Sequence, residues 1–469
     1  MRTSFRFLAI LISALVCSPV IGEPQSAPAP KGATASPVCS LAAPECSQNW
    51  VGSRTTKGRF QTIVLHLMRS GDVEKATVDL PDFGALGIPV SKFSMKFDHV
   101  HFELIGDTSS AVFDGSVSGD LIQGNWQEGD QAGSFQLKGT GQIYHAFREE
   151  DVSFKSGAIR LAGTLLLPNR HSPVPAIVFV HGAGPEQRSA SRFLAEFFAN
   201  RGVAALIYDK RGAGESTGDW KVSSFDDLAE DVTAAVSFLK SRPEIDASRI
   251  GLMGSSQGGW IAPMAALRIP DLAFLIVKSA AAVTPEQQEL ARVEIQMRAE
   301  GNSPDDIAEA LTLYRHAIQF SRTGEGWDSL AVEIAADSNK RWAFFDHDTP
   351  RNYWFFDQIR LNFDHDPIPV LEQVKAPILV IYGGEDNDGP PLQGSTGRLL
   401  EAMRRGAKNS ELEIFPNAGH DLRVVQGKDQ AWDFPRFAPG YLESLASWVE
   451  MQTKAPGDSS LPNGAVQAH

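Results

Sequence analysis

Between about Asn49 and Leu137 the apolar positions recur every second residue. The runs FQTIVLHL, ATVDL, KFSMKF, HVHFELI, AVFDGSVSG and LIQGNWQ are short, and Gly, Asp and Ser separate them. Period-two patterning with closely spaced turn residues predicts antiparallel strands with one buried face. No helix-period segment interrupts them. The expected unit is a small all-β accessory domain over residues 48–147, a sandwich or a barrel. His66, His99 and His101 fall inside these strands with no carboxylate at a ligand-like spacing, so they read as surface or interface histidines.

From Val152 the pattern changes. DVSFKSGAIRLAGTLLLP reads as two paired strands around Ser156-Gly157. AIVFVHG follows, a continuous apolar run that only a strand buried on both faces would carry. SRFLAEFFANRG reads as a helix closed by Gly202, and VAALIYDKRG as the next strand. In SSFDDLAEDVTAAVSFLKSRP, Ser224 and Asp227 have capping-box spacing, and Phe225, Leu228, Val232, Ala235, Val236 and Leu239 form a helical stripe. RIGLMG, LAFLIVKS, APILVIYGG and SELEIFP supply four more strands. Strands alternating with helices predict an α/β domain over residues 150–454, a mainly parallel sheet flanked by helices.

Residues 284–373 interrupt the alternation with helical sequence and a dense aromatic stretch. The expectation is a helical lid insert. Trp342, Phe344, Phe345, Tyr353, Trp354, Phe355 and Phe356 then either line a pocket or form the insert's own small core, the second role being the larger.

The ends read differently. Arg2 and Arg6 precede the apolar run LAILISALVCSPVIG, with small Val20 and Gly22 before a cut. Residues 1–22 therefore read as a signal peptide, and the mature protein as periplasmic or secreted. Val16 before Cys17 is not the small residue of a lipid-anchor site. Residues 23–47 begin Pro/Ala/Ser-rich and read as a linker, residues 455–469 as a flexible tail. Once the leader is gone, Cys39 and Cys46 remain, an even pair for which a disulfide is favoured over two thiols. No other stretch is apolar enough to span a bilayer, so no stable membrane insertion is expected.

Composition then narrows the partners. The chain of 469 residues is 42% hydrophobic and 21% charged, ordinary globular values. Its formal charge is −14, from 43 Lys and Arg against 57 Asp and Glu, which argues against nucleic acid. No metal-ligand set or nucleotide-binding loop is legible, so no cofactor is expected.

The candidate chemistry begins at Gly254-Ser255-Ser256-Gln257-Gly258, a G-x-S-x-G sequence between a strand and a helix. A nucleophile on that sharp turn needs a strained backbone and glycine neighbours. Serine needs a base, and the base an orienting acid, in the chain order Ser, acid, His. Glu385-Asp386-Asn387-Asp388 follows one strand and Asn417-Ala418-Gly419-His420 the next. These give Asp386 as the acid, Asp388 as runner-up and His420 as the base. His181-Gly182-Ala183-Gly184-Pro185 follows the first buried strand. The backbone N–H groups of Ala183 and Gln257 would form an oxyanion hole, and His181 itself would make structural hydrogen bonds.

HGAGP, YDKRGAGEST, GSSQGG, GGED and AGH together resemble the α/β-hydrolase superfamily over about residues 150–450. Within it the chain looks like secreted bacterial hydrolases with an N-terminal β domain. Those are related to the dipeptidyl-aminopeptidase/acylaminoacyl-peptidase-like and cinnamoyl-esterase-like branches. The resemblance implies an α/β-hydrolase fold and a serine hydrolase that cleaves a small-molecule carboxylic ester through an acyl-enzyme. It also implies that Asp209 and Arg211 brace loops around the site. The loop after Asp386 reads NDGPP, without the usual apolar residues before the proline. Two other readings stand beside the ester hydrolase: a peptidase with the same triad, and a non-catalytic hydrolase-like binding module. Oligomeric state is not legible.

Overall fold

The computed structural model describes residues 45–56, 59–70, 73–96, 98–105, 110–140, 147–170, 173–388, 392–406, 410–425 and 436–454. The leader with Cys17, Val20 and Gly22, the stretch before residue 45, the Cys39–Cys46 pairing and the 455–469 tail lie outside the described residues.

The alternating runs form β1 (Glu45–Thr56), β2 (Arg59–Ser70), β3 (Val73–Leu80), β4 (Ala85–Pro89), β5 (Lys92–Lys96), β6 (His99–Ile105), β7 (Ser110–Ser118), β8 (Leu121–Glu128) and β9 (Gln131–Thr140). They make one antiparallel sheet in the order β4-β3-β2-β1-β9-β8-β7-β6-β5. β4 and β5 sit at opposite ends of that order, yet only Val90 and Ser91 separate them in the chain. The Val90 N–H donates to Ala76 on one side and the Ser91 N–H to Glu103 on the other. The sheet must therefore curl until its edges meet, so the unit is barrel-like. Trp50, Leu65, Val78, Phe102, Phe113, Phe135 and Leu137 fill its interior. Phe102 stacks on Phe113 at 4.5 Å between ring centroids.

The three barrel histidines do have carboxylate partners, contrary to the spacing argument. His66 bonds Asp79 at 2.8 Å, His101 bonds Asp114 at 3.1 Å, and His99 lies 3.4 Å from Asp114. Asp114 is the direct cross-strand partner of His101, while Asp79 reaches His66, and Asp114 His99, diagonally from the adjacent strand, which linear spacing cannot display. Among the described residues, no cluster of His, Cys, Asp and Glu could hold a metal ion.

The second sheet holds β10 (Phe147–Ser156), β11 (Ile159–Pro168), β12 (Val174–Val180), β13 (Ala204–Tyr208), β14 (Ile245–Ser255), β15 (Phe274–Lys278), β16 (Ile378–Gly383) and β17 (Ser410–Phe415). Its order is β10-β11-β13-β12-β14-β15-β16-β17, parallel from β13 to β17. Ala176, Val178 and Val180 of β12 face one core, and Ile177 and Phe179 the other. That accounts for the unbroken apolar run AIVFV.

Helices α1 (Arg192–Asn200), α2 (Phe225–Lys240) and α3 (Gly258–Ala266) cover the sheet early in the chain. The capping box at α2 is formed: the Asp227 N–H donates to Ser224 Oγ at 3.1 Å, and the Ser224 N–H to Asp227 Oδ2 at 2.7 Å. Between β15 and β16 lie α4 (Pro285–Ala299), α5 (Pro304–Thr323), α6 (Trp327–Asp337), α7 (Trp354–Asn362) and α8 (Pro367–Leu371). They build a core of their own, in which Trp342, Phe345, Phe355 and Phe356 are buried. Phe344, Tyr353 and Trp354 pack against it. Polar clasps fasten this insert to the turn before α2. Asn362 Oδ1 accepts the Phe225 N–H at 2.8 Å, and Gln358 Nε2 donates to the Lys221 carbonyl at 2.6 Å. The chain closes with α9 (Leu392–Arg405) and α10 (Tyr441–Thr453). No helix among the described residues is long and apolar enough to cross a membrane.

Candidate active site

The order β13-β12-β14 reverses the direction of the crossovers between β12 and β14. Open parallel sheets leave a crevice at the carboxyl ends of strands flanking such a reversal. The loops after β12 and β14 carry the HGAGP and GSSQGG segments to that crevice.

Ser256 adopts φ +53°, a left-handed conformation that costs a serine about 1–2 kcal/mol. Two backbone bonds hold it there. The Ser256 N–H donates to the Lys278 carbonyl, and the Gly259 N–H to the Ser256 carbonyl, each at 2.8 Å. The flanking glycines are required by space. A Cβ on Gly254 would sit 2.1 Å from the Gly258 carbonyl oxygen, and one on Gly258 only 2.3 Å from that of Val180. Gly258→Ala is therefore expected to destabilise the protein by ~1–3 kcal/mol, the usual cost of overpacking, read as a lower melting temperature.

His420 and Asp386 come from the loops after β17 and β16. His420 Nδ1 lies 2.9 Å from Asp386 Oδ2, and the two side chains are only 12% and 2% exposed. Ser279, itself at φ +53°, donates its hydroxyl to the His420 carbonyl at 2.6 Å, and Lys278 Nζ reaches the same oxygen at 3.3 Å. Ser256, His420, Ala183 and Gln257 line one cavity of about 70 Å³. Among the described residues no hydrogen bond joins Ser256 to His420, and the Ala183 and Gln257 amide N–H groups donate to no protein acceptor. An N–H pair left open beside a hydroxyl is what an oxyanion needs.

Asp388, the runner-up for the acid, lies in the loop after β16. It is half-buried, faces the cavity, and accepts from Gln296 Nε2 of α4 at 3.2 Å. Its N–H donates to Asp386 Oδ1 at 3.0 Å, so it braces the acid rather than the imidazole.

The DKRG segment is buried and paired. Arg188 grips Asp209 through Nε at 3.1 Å and Nη2 at 2.7 Å, and Arg211 grips Asp231 through two contacts of 2.7 Å. Between them, Lys210 Nζ donates to the Gly182 carbonyl and to Gln257 Oε1, both at 2.8 Å. It thus ties together the two segments that present the open amides. Burial pushes the Lys210 ammonium down to about 8. Glu186 accepts the Gly182 N–H at 2.6 Å, and burial raises its carboxyl pKa. His181 bonds the Tyr208 carbonyl, and burial holds its imidazole down at about 4. It stays neutral and structural.

Sequence reasoning missed the roof of the cavity. Pro285, Gln288, Glu289 and Arg292 of α4 line it, with Gln358, Asn362 and Phe363 from the α7 region. Of the seven aromatics weighed as pocket residues, none lines it; Phe225, Trp260 and Phe363 do. The available signal was that 285, 288, 289 and 292 fall at i, i+3, i+4 and i+7, a core-facing stripe too polar for a core.

The sequence matches the family described as "Alpha/beta hydrolase family" over residues 177–432. Esterase EstD of Thermotoga maritima is 24% identical over 341 residues, spanning 69% of this chain and 74% of that protein. An AB hydrolase superfamily protein of Bacillus subtilis, YisY, is 26% identical over 246 residues, 52% of this chain and 84% of its own. Among solved structures, an esterase of Pyrococcus furiosus aligns with a TM-score of 0.43 at 16% identity, covering 67% of this chain and 94% of that one.

Proposed function

Since the chain belongs to the alpha/beta hydrolase family, and is by that membership a hydrolase, we propose that it cleaves a carboxylic ester through an acyl-enzyme. Ser256 Oγ attacks the carbonyl carbon while His420 Nε2 takes its proton. Asp386, at His420 Nδ1, fixes the tautomer that leaves Nε2 free to accept. The tetrahedral oxyanion receives the Ala183 and Gln257 N–H groups. His420 then protonates the departing alkoxide. Water, deprotonated by the same imidazole, splits acyl-Ser256 to the acid and restores the hydroxyl.

The observation that carries this reading is the strained Ser256 in one cavity with His420, itself 2.9 Å from Asp386. The test is a panel of p-nitrophenyl esters and aminoacyl p-nitroanilides. Turnover of the esters supports the proposal, preference for the anilides supports a peptidase, and silence on both supports a binding module.

Lys210 gives the reading a pH signature. Below about pH 8 its ammonium is charged and holds Gly182 and Gln257; above that value it loses the proton and the charge behind the oxyanion site. Glu186, His181 and the Arg211–Asp231 pair are the charged and titratable groups around it. Turnover should fall as pH rises through about 8, and Lys210→Met should lower turnover and erase that alkaline limb.

Export belongs to the same proposal. The expectation is an intact mass, for protein recovered from periplasm or medium, that lacks residues 1–22.

A further inference from the structure

One wall of the catalytic cavity is built of polar side chains that the hydrolytic cycle does not use. Arg292, 3% exposed, pairs through Nε and Nη2 with Glu289 and through Nη1 with Gln296 at 3.1 Å. Gln296 in turn reaches Asp388 at 3.2 Å. These four side chains satisfy one another. Gln358 and Asn362 are likewise spent, on backbone groups of the turn before α2 and on each other. Gln288 differs. It is 8% exposed and lines the cavity, yet among the described residues its side-chain amide makes no hydrogen bond.

The Gln288 amide stays accessible from the cavity, so its hydrogen-bonding capacity is open to whatever binds there. Phe225, Trp260 and Phe363 give the same cavity an apolar part of its lining. The cavity is small, about 70 Å³, and partly open. The acyl group must fit inside it, because it stays bonded to Ser256 between the two steps while the alcohol departs after the first. A fitting acyl group is therefore short, with an apolar side for the aromatics and one neutral hydrogen-bonding group for Gln288. A carboxylate is the wrong partner. The one arginine is already bidentate with Glu289, and Glu289 and Asp388 outnumber it on that wall.

We propose that the enzyme selects esters of short hydroxy acids, with Gln288 as the specificity-determining residue that holds the acyl hydroxyl. This rests on the reading of Ser256 as nucleophile. Sites built to bond a substrate hydroxyl discriminate strongly against analogues that lack it, because the buried group is then left unpaired.

The test compares ethyl 3-hydroxybutyrate, ethyl butyrate and monoethyl succinate by pH-stat titration, on the full chain and on Gln288→Met. The wild type should favour the hydroxy ester over butyrate at least ~10-fold in kcat/KM, with the succinate poorest. In Gln288→Met the hydroxy-to-butyrate ratio should fall to within ~3-fold of one. Melting curves report whether the variant folds; if it does not, the wild-type ratio decides alone. Equal or better turnover of butyrate, preference for the succinate, or an unchanged ratio in folded Gln288→Met overturns the inference and leaves the nucleophile reading intact. Failure on all three esters together with no fluorophosphonate adduct on Ser256 overturns both.

Discussion

Ser256→Ala is expected to lower ester turnover by ~10⁶ without loss of the fold. The left-handed turn is held by the backbone bonds to Lys278 and Gly259 and by the contacts that exclude a side chain at Gly254 and Gly258. None of these involves the hydroxyl. Alanine in the same conformation keeps them all and removes only the attacking oxygen. Stopped turnover with an unchanged melting curve is the expected pair of readouts. Substantial residual turnover would mean that another group attacks the ester.

Asp386→Asn should lower kcat by ~10⁴ while the protein stays folded. An asparagine fills the same space, but its amide donates to Nδ1 and so places the imidazole proton on Nε2, facing the serine. The base then has nothing to accept with. Asp388→Asn should cost under ~10-fold, since the bond from Gln296 to a side-chain oxygen survives the change. The order of the two effects separates the acids, provided both variants melt like the wild type. A larger loss at Asp388 would move the orienting role two residues along the loop. Equal small losses would place the acid on another strand end.

Much of the frame was legible because local patterns and tertiary needs agree in this chain. The run AIVFV was readable as a doubly buried strand, since Ile177 and Phe179 meet one core while Ala176, Val178 and Val180 meet the other. The Ser224–Asp227 cap was readable because a capping box is local by construction. The position of Gly254-Ser255-Ser256-Gln257-Gly258 between β14 and α3 was likewise a matter of neighbouring residues.

What escaped the sequence depends on contacts across long separations. His66 and Asp79 meet diagonally across paired strands, and the barrel closes through a two-residue link between its outermost strands. The roof of the cavity comes from α4, whose polar stripe has no motif. Only the packing of the insert over Ser256 turns Gln288 and Arg292 toward the crevice. The setting of Asp388 was hidden for the same reason: its partner Gln296 lies on an insert helix far away in the chain.

The most direct measurement of the central claim is active-site labelling. Intact protein treated with a fluorophosphonate, digested and mapped by mass spectrometry, should carry one adduct, on Ser256. Ser255→Ala should still be labelled and keep most of its activity, whereas Ser256→Ala should not react. An adduct on any other residue, or labelling that survives in Ser256→Ala, would contradict the account.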